Sequence, residues 1–196
     1  MKRICVYAAS NPGRDRRFGE AAARLGRVVA SRGLEMVYGG GRLGVMGRAA
    51  DGAIAAGGRV TGVIPRFMEA RVHPGLTRVE YVETMHERKA RMAALADGFV
   101  TLPGGLGTLE ETVEILTWTQ LGLHRKPLGL LNAAGYYDPL LAWMDRAARE
   151  GFLRPEHRAM VLVAGEPEDL LGLMADYRAP ASILDDGAAG GPPGAA

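Results

Sequence analysis

Cysteine occurs once in 196 residues, lysine three times, and aromatic residues make up only 6% of the chain. The single Cys5 cannot close an internal disulfide, and its place in the apolar run Arg3–Ala8 is that of a small buried hydrophobe. The three lysines, Lys2, Lys89 and Lys126, offer no recognisable Schiff-base setting. The few aromatics are not interleaved with a basic ribbon, which argues against a nucleic-acid polymer as partner. His73, His86, His124 and His157 lack ligand-like spacing, so no metal site is expected. There is no GxSxG elbow, and Ser10 and Ser31 have no evident triad partners. No apolar run approaches the roughly 20 residues of a membrane span. The opening MKRICVYAAS lacks a signal peptide's long apolar region. These absences predict a cytoplasmic protein without cofactor or membrane contact.

What is present is ordinary globular composition, 47% hydrophobic and 23% charged, in a length that suits one domain with a sizeable core. The net charge of +2 conceals an asymmetry, because residues 1–50 hold ten Lys/Arg against three Asp/Glu. A basic half could attract nucleotides or nucleic acid, but a solvated arginine face on the first helix (Arg16, Arg17, Arg24, Arg27) is the simpler reading.

Short apolar runs alternate with amphipathic helices. Strands are expected at Arg3–Ala8, Glu35–Tyr38, Arg59–Ile64, Gly98–Leu102, Pro127–Leu131 and Met160–Val163, with a shorter one at Arg78–Val82. Helices are expected over about Arg16–Ser31, up to Ala56, Thr84–Ala96, Thr108–Leu121, Pro139–Glu150 and Pro167–Tyr177. Pro65–Thr77 reads as an irregular loop. Such alternation implies parallel strands joined by right-handed crossovers: a Rossmann-like, doubly wound α/β sheet with helices on both faces, in a single domain over residues 1–178. The Ala/Gly/Pro-rich stretch 179–196 has too little apolar surface to fold and is expected to be disordered.

Two glycine-rich turns follow strands and so fall at the carboxyl edge of the sheet, where such folds bind ligands. The first, Gly39–Gly47 (GGGRLGVMG), matches neither the dinucleotide fingerprint nor a Walker A loop, and a tight turn is its simple alternative. The second runs through Pro103-Gly104-Gly105-Leu106-Gly107-Thr108 into a helix, whose N-terminal amides and dipole suit a phosphate. Glu110 and Glu111 sit at its start. Thr108 with Glu111 reads as a capping box, as does Thr84 with Glu87, which gives Glu111 a structural role and leaves Glu110 for chemistry. Arg88 and Arg91 share a helix face, and an arginine fork suits bidentate phosphate binding.

Together, YGGGRLGVMG, MHERK at Met85–Lys89 and LPGGLGTLEE at Leu102–Glu111 resemble the Lonely Guy (LOG) family of cytokinin-activating enzymes. TWTQLGLHRKPLGLLNAAGYYDPLL at Thr117–Leu141 and EGFLRP at Glu150–Pro155 extend the match to nearly the whole chain. The pairing of PGGxGTxxE with MHxRK is specific to that family. The resemblance implies a Rossmann-like homodimer that hydrolyses the N-glycosidic bond of AMP or its N6-prenylated form, a small-molecule nucleotide, giving free base and ribose 5-phosphate. It implies Arg88 and Glu110 as the catalytic pair. Gly39, Gly40, Gly41, Lys89, Gly104, Gly105, Gly107, Thr108 and Glu111 fall in its substrate-binding segments, with Ser10, Glu69 and Thr117 as further candidates. A nucleotide-binding module that uses the cradle without turnover is the alternative. Members are often labelled lysine decarboxylases, a label the three lysines fit poorly. Three positions depart from the pattern: the first loop reads Tyr7-Ala8-Ala9-Ser10 where Gly-Ser-Ser is usual, Phe18 replaces a common tyrosine, and Glu69 comes one place early. Trp118, Trp143 and the Tyr136-Tyr137 pair are candidates for an interface.

Overall fold

The computed structural model describes residues 1–184. Seven strands form one sheet: β1 (Arg3–Tyr7), β2 (Glu35–Tyr38), β3 (Val60–Pro65), β4 (Arg78–Val82), β5 (Gly98–Thr101), β6 (Leu128–Leu131) and β7 (Val161–Ala164). Every pairing is parallel, and the spatial order is β4-β3-β2-β1-β5-β6-β7. The chain therefore winds outward from β1 to β4, returns to the middle, and winds the other way from β5. The point of reversal lies between β1 and β5.

Seven helices cover the sheet: α1 (Arg16–Ser31), α2 (Gly44–Ala55), α3 (Met85–Leu95), α4 (Leu106–Gln120), α5 (Asp138–Arg149), the short α6 (Pro155–Arg158) and α7 (Pro167–Ala175). Strand side chains alternate between two cores. Ile4, Val6, Met36 and Tyr38 pack with α1, α2 and α7, while Cys5, Tyr7, Val37 and Phe99 pack with α3, α4 and α5. This is the layered α/β arrangement that the alternating pattern predicts. Backbones of α1 and α2 touch where glycines face them: a Cβ on Gly26 would lie 2.1 Å from the Ala49 carbonyl, and one on Gly52 2.1 Å from that of Ala23.

Three expectations change. The helix expected to begin at Thr108 begins at Leu106 with Gly105 as its cap, and no side chain caps it. Glycine provides the extended cap conformation here, so Thr108 lies inside the first turn and the Thr108–Glu111 capping box does not form. The box at Thr84 does form in part: the Thr84 hydroxyl accepts the Glu87 amide at 3.1 Å, while the Glu87 carboxylate accepts the amide of Glu83 rather than that of Thr84. Inside the loop Pro65–Thr77, a 3-10 turn spans Arg66–Arg71. Of the stretch expected to be disordered, residues 185–196 lie outside the described residues. Its beginning is tied down: Gln120 O accepts the Ile183 amide at 2.9 Å and the Ser182 hydroxyl at 3.2 Å.

Candidate active site

The ends of β1, β2, β3 and β5 surround a cavity of about 450 Å³ at the reversal point of the sheet. Its floor combines the two segments singled out by sequence. From α3 comes Arg88, whose side chain is only 10% exposed. Its Nε donates to Val63 O at 3.2 Å and its Nη2 to Gly39 O at 3.3 Å. Gly39 is required for this fit, because a Cβ there would lie 1.7 Å from Arg88 Nη2. From α4 comes Glu111, with its Oε1 3.9 Å from Arg88 Nη1 and its side chain 13% exposed. Burial pushes the Glu111 carboxyl up to about 7, only partly opposed by the Arg88 charge, and the neighbouring Glu110 pushes it further upward.

Glu110 behaves differently. Its carboxylate is 56% exposed and pairs with the ammonium of Lys89, which also donates to Glu114 Oε1 at 3.0 Å. The two pairs, Arg88–Glu111 and Lys89–Glu110/Glu114, join α3 to α4 and keep the cavity floor from accumulating unbalanced negative charge. Glu110 and Glu114 also raise the Lys89 pKa, chiefly through the Glu110 hydrogen bond. A lysine so held is poorly suited to nucleophilic work, which requires the neutral amine.

The PGG turn forms one wall. Gly105 and Gly107 have nothing within 4 Å of a built Cβ, so that wall is open to the cavity. The amides of Gly105, Leu106, Gly107 and Thr108 have no acceptor among the described residues. Four unpaired donors at the positive end of a 15-residue helix make an anion cradle. Gly104 faces inward, where a Cβ would meet Thr108 Oγ1 at 2.1 Å. The lining also has an apolar part, made by Leu43, Met46, Ile64, Met68 and Met85, and includes Arg42 and Arg71.

Of the residues expected at a site, Ser10, Gly39, Gly41, Arg88, Gly105, Gly107, Thr108, Glu110 and Glu111 line the cavity. Gly40, Lys89 and Gly104 stand behind it as supports. Glu69 is exposed on the 3-10 turn, where it interacts with Tyr81. Thr117 is one helix face away, its hydroxyl donating to Val113 O at 2.8 Å, and it lines a separate groove. Arg91 turns outward and pairs with Glu80. The methionine wall and Glu114 escaped sequence reading, since methionines scattered over three segments and a mid-helix glutamate carry no local signal.

A family profile described as "Possible lysine decarboxylase" matches residues 46–174. A "Probable cytokinin riboside 5'-monophosphate phosphoribohydrolase" of Oryza sativa subsp. japonica is 48% identical over 177 residues, covering 89% of this chain and 79% of that protein. A cytokinin riboside 5'-monophosphate phosphoribohydrolase of Rhodococcoides fascians is 46% identical over 182 residues, covering 91% of this chain and 90% of its own. The chain belongs to the LOG family. Among solved structures, a molybdenum cofactor binding protein of Rippkaea orientalis superposes with a TM-score of 0.68 at 25% identity, over 89% of this chain and 95% of that one. The fold is thus shared with a cofactor-binding protein. Counted from Pro103, the closing glutamate of the PGGxGTxxE pattern is Glu111 and not Glu110. The closing glutamate of the pattern is therefore the carboxylate that lies beside Arg88.

Proposed function

We propose that the protein hydrolyses the N-glycosidic bond of nucleoside 5′-monophosphates, cytokinin riboside 5′-monophosphates and AMP, releasing the free base and ribose 5-phosphate. The observation that carries this reading is the meeting of Arg88 and Glu111 on a cavity floor next to four unpaired amides. The amides and Arg88 bind the 5′-phosphate, and binding energy from that remote group orients the reacting bond. As the C1′–N9 bond breaks, its electron pair leaves on the base and positive charge develops on the ribose. The Glu111 carboxylate stabilises that charge and accepts a proton from the water whose oxygen adds to C1′; the departing base is protonated in turn. A carboxyl held near 7 suits proton transfer at neutral pH. This assigns to Glu111 the role first given to Glu110, which instead anchors Lys89.

The apolar wall of Met46, Met68 and Met85 favours a base with an apolar N6 substituent, because flexible thioethers pack against irregular hydrocarbon. Purified protein incubated with AMP and with N6-isopentenyladenosine 5′-monophosphate should release base and ribose 5-phosphate. Nucleotide binding without release from either would instead support a binding module, the role that the fold serves in the Rippkaea orientalis protein.

A homodimer and a cytoplasmic location belong to the same proposal. Exposed Val113, Trp143 and Phe152 edge an apolar groove of about 580 Å³ between α4 and α5, rimmed by Arg146 and Glu150. Tyr137 is buried and so unavailable to a partner, whereas Trp118 packs against the core with part of its ring exposed. A Phe152→Asp variant should sediment as a monomer; an unchanged dimer would move the interface elsewhere.

A further inference from the structure

The loop between β6 and α5 reaches over to the anion cradle with two consecutive tyrosines. The Tyr136 hydroxyl donates to Gly104 O at 2.6 Å, and the Tyr137 hydroxyl donates to Leu102 O at 2.7 Å. The loop is held rigidly for this. Asn132 Oδ1 accepts the Tyr137 amide at 2.7 Å and Asn132 Nδ2 donates to Asp138 at 2.7 Å. Ala134 is held at φ 55°, a conformation a non-glycine residue adopts only when its surroundings impose it. Phe18 from α1 meets the Tyr136 ring edge-on at 5.3 Å, and the Tyr137 ring does so at 5.0 Å.

The two hydroxyls act on different kinds of peptide. In a trans peptide the carbonyl of one residue and the amide of the next point in opposite directions. Fixing the Gly104 carbonyl toward Tyr136 therefore fixes the Gly105 amide away from it, and Gly105 is the residue that faces the cavity. That amide is one of the four without an acceptor. The Leu102 carbonyl precedes Pro103, which has no amide to orient. Gly104-Gly105 is also the peptide with the most rotational freedom in the turn, having no side chain on either residue.

We propose that Tyr136 is a positioning residue for the phosphate cradle, holding the Gly104–Gly105 peptide so that the Gly105 amide points into the cavity, while Tyr137 serves only the stability of the turn. This rests on the reading of the cradle as the phosphate site. Substrate lacking phosphate gains nothing from the arrangement; with the other three amides and Arg88 still orienting the phosphorylated substrate, the effect of Tyr136 appears mainly in its binding and little in the chemical step.

The test compares Tyr136→Phe with Tyr137→Phe, both of which keep the ring. In Tyr136→Phe, KM for a nucleoside 5′-monophosphate should rise roughly three- to tenfold, the equivalent of one hydrogen bond, with kcat within about twofold. Affinity for ribose 5-phosphate and for inorganic phosphate, read by titration calorimetry, should weaken in parallel. In Tyr137→Phe the melting temperature should fall while both affinities stay near those of the unaltered protein. An unchanged KM and phosphate affinity in Tyr136→Phe overturns its positioning role alone. Equal weakening in both variants does the same, since the turn would merely have loosened. If the unaltered protein turns over substrate but binds neither phosphate probe, the cradle reading falls as well.

Discussion

The two glycine-rich turns look interchangeable in sequence, yet they do opposite work. At the β2–α2 turn the glycines exist so that other parts of the chain can come close. Gly39 makes room for the Arg88 guanidinium, and Gly44, at φ +67°, would drive a Cβ to within 2.2 Å of the Ser10 backbone. Two of the four amides that open α2 are already used, Val45 N donating to Asn11 O at 3.4 Å and Met46 N to Ala9 O at 3.0 Å. At the β5–α4 turn Gly105 and Gly107 meet nothing, and the amides remain unpaired. A glycine cluster at a helix start thus has two physical meanings, close packing of protein against protein or a cleared approach for a ligand. Only the partners of the first-turn amides tell them apart.

The strongest challenge to this contrast is at the carboxylates that follow the second turn. Glu111→Gln should lower kcat/KM for base release by roughly 10²–10⁴-fold, the range expected for loss of acid–base catalysis. Glu110→Gln should cost less than about tenfold, because its carboxylate is more than half exposed and the buried Lys89 ammonium keeps Glu114 as a partner. The reverse ranking would return the chemistry to Glu110.

Next comes Gly39→Ala in the first turn. The new methyl must displace Arg88, and misplacing a positioning group by about 1 Å costs on the order of 10²-fold in rate. Circular dichroism should show the fold retained; unchanged kinetics would mean that Arg88 need not sit where it does.

The titration of Glu111 should be visible in two ways. If the ionised form is the active one, kcat/KM should rise with pH along a limb with an apparent pKa near about 7. In the folded chain Glu111 keeps a proton between its ordinary value of 4.5 and about 7, whereas unfolded it gives that proton up. The folded state therefore binds more protons in that window, and stability falls as pH rises through it. Glu111→Gln should remove this decline and be the more stable protein at pH 8, by on the order of 2 kcal/mol in urea denaturation. A variant equally or less stable there would show that the buried carboxylate is better compensated than its surroundings suggest.

The smallest effects come from the same substitution made in each turn. Gly44→Ala should destabilise by roughly 1–3 kcal/mol, from its left-handed backbone and its contact with Ser10. Gly107→Ala, inside the first turn of α4 with open space around it, should stabilise the fold by roughly 0.5–1 kcal/mol while raising KM for the nucleotide. Equal signs in thermal denaturation would erase the distinction between the turns.

Much of the architecture was legible in the order of residues. Alternating apolar runs and amphipathic helices predict a parallel sheet covered on both faces, and the bounds of α1 and β2 follow from the Gly33 stop and the Glu35–Tyr38 run. Glycine turns after strands place a site at the carboxyl edge. The start of α4 departs from expectation because Thr108 and Glu111 have capping-box spacing, whereas Gly105 takes the cap position three residues earlier. That shift moves Glu111 from a helix end to the cavity floor.

The sequence by itself determined the layers, the two turns and the list of charged residues available for chemistry, because these depend on periodicity and on local backbone freedom. Which carboxylate faces Arg88, which helix start keeps its amides unpaired, and which tyrosine supports the cradle were decided only by tertiary structure. Each depends on what approaches from a distant segment, and neighbours along the chain carry no record of that.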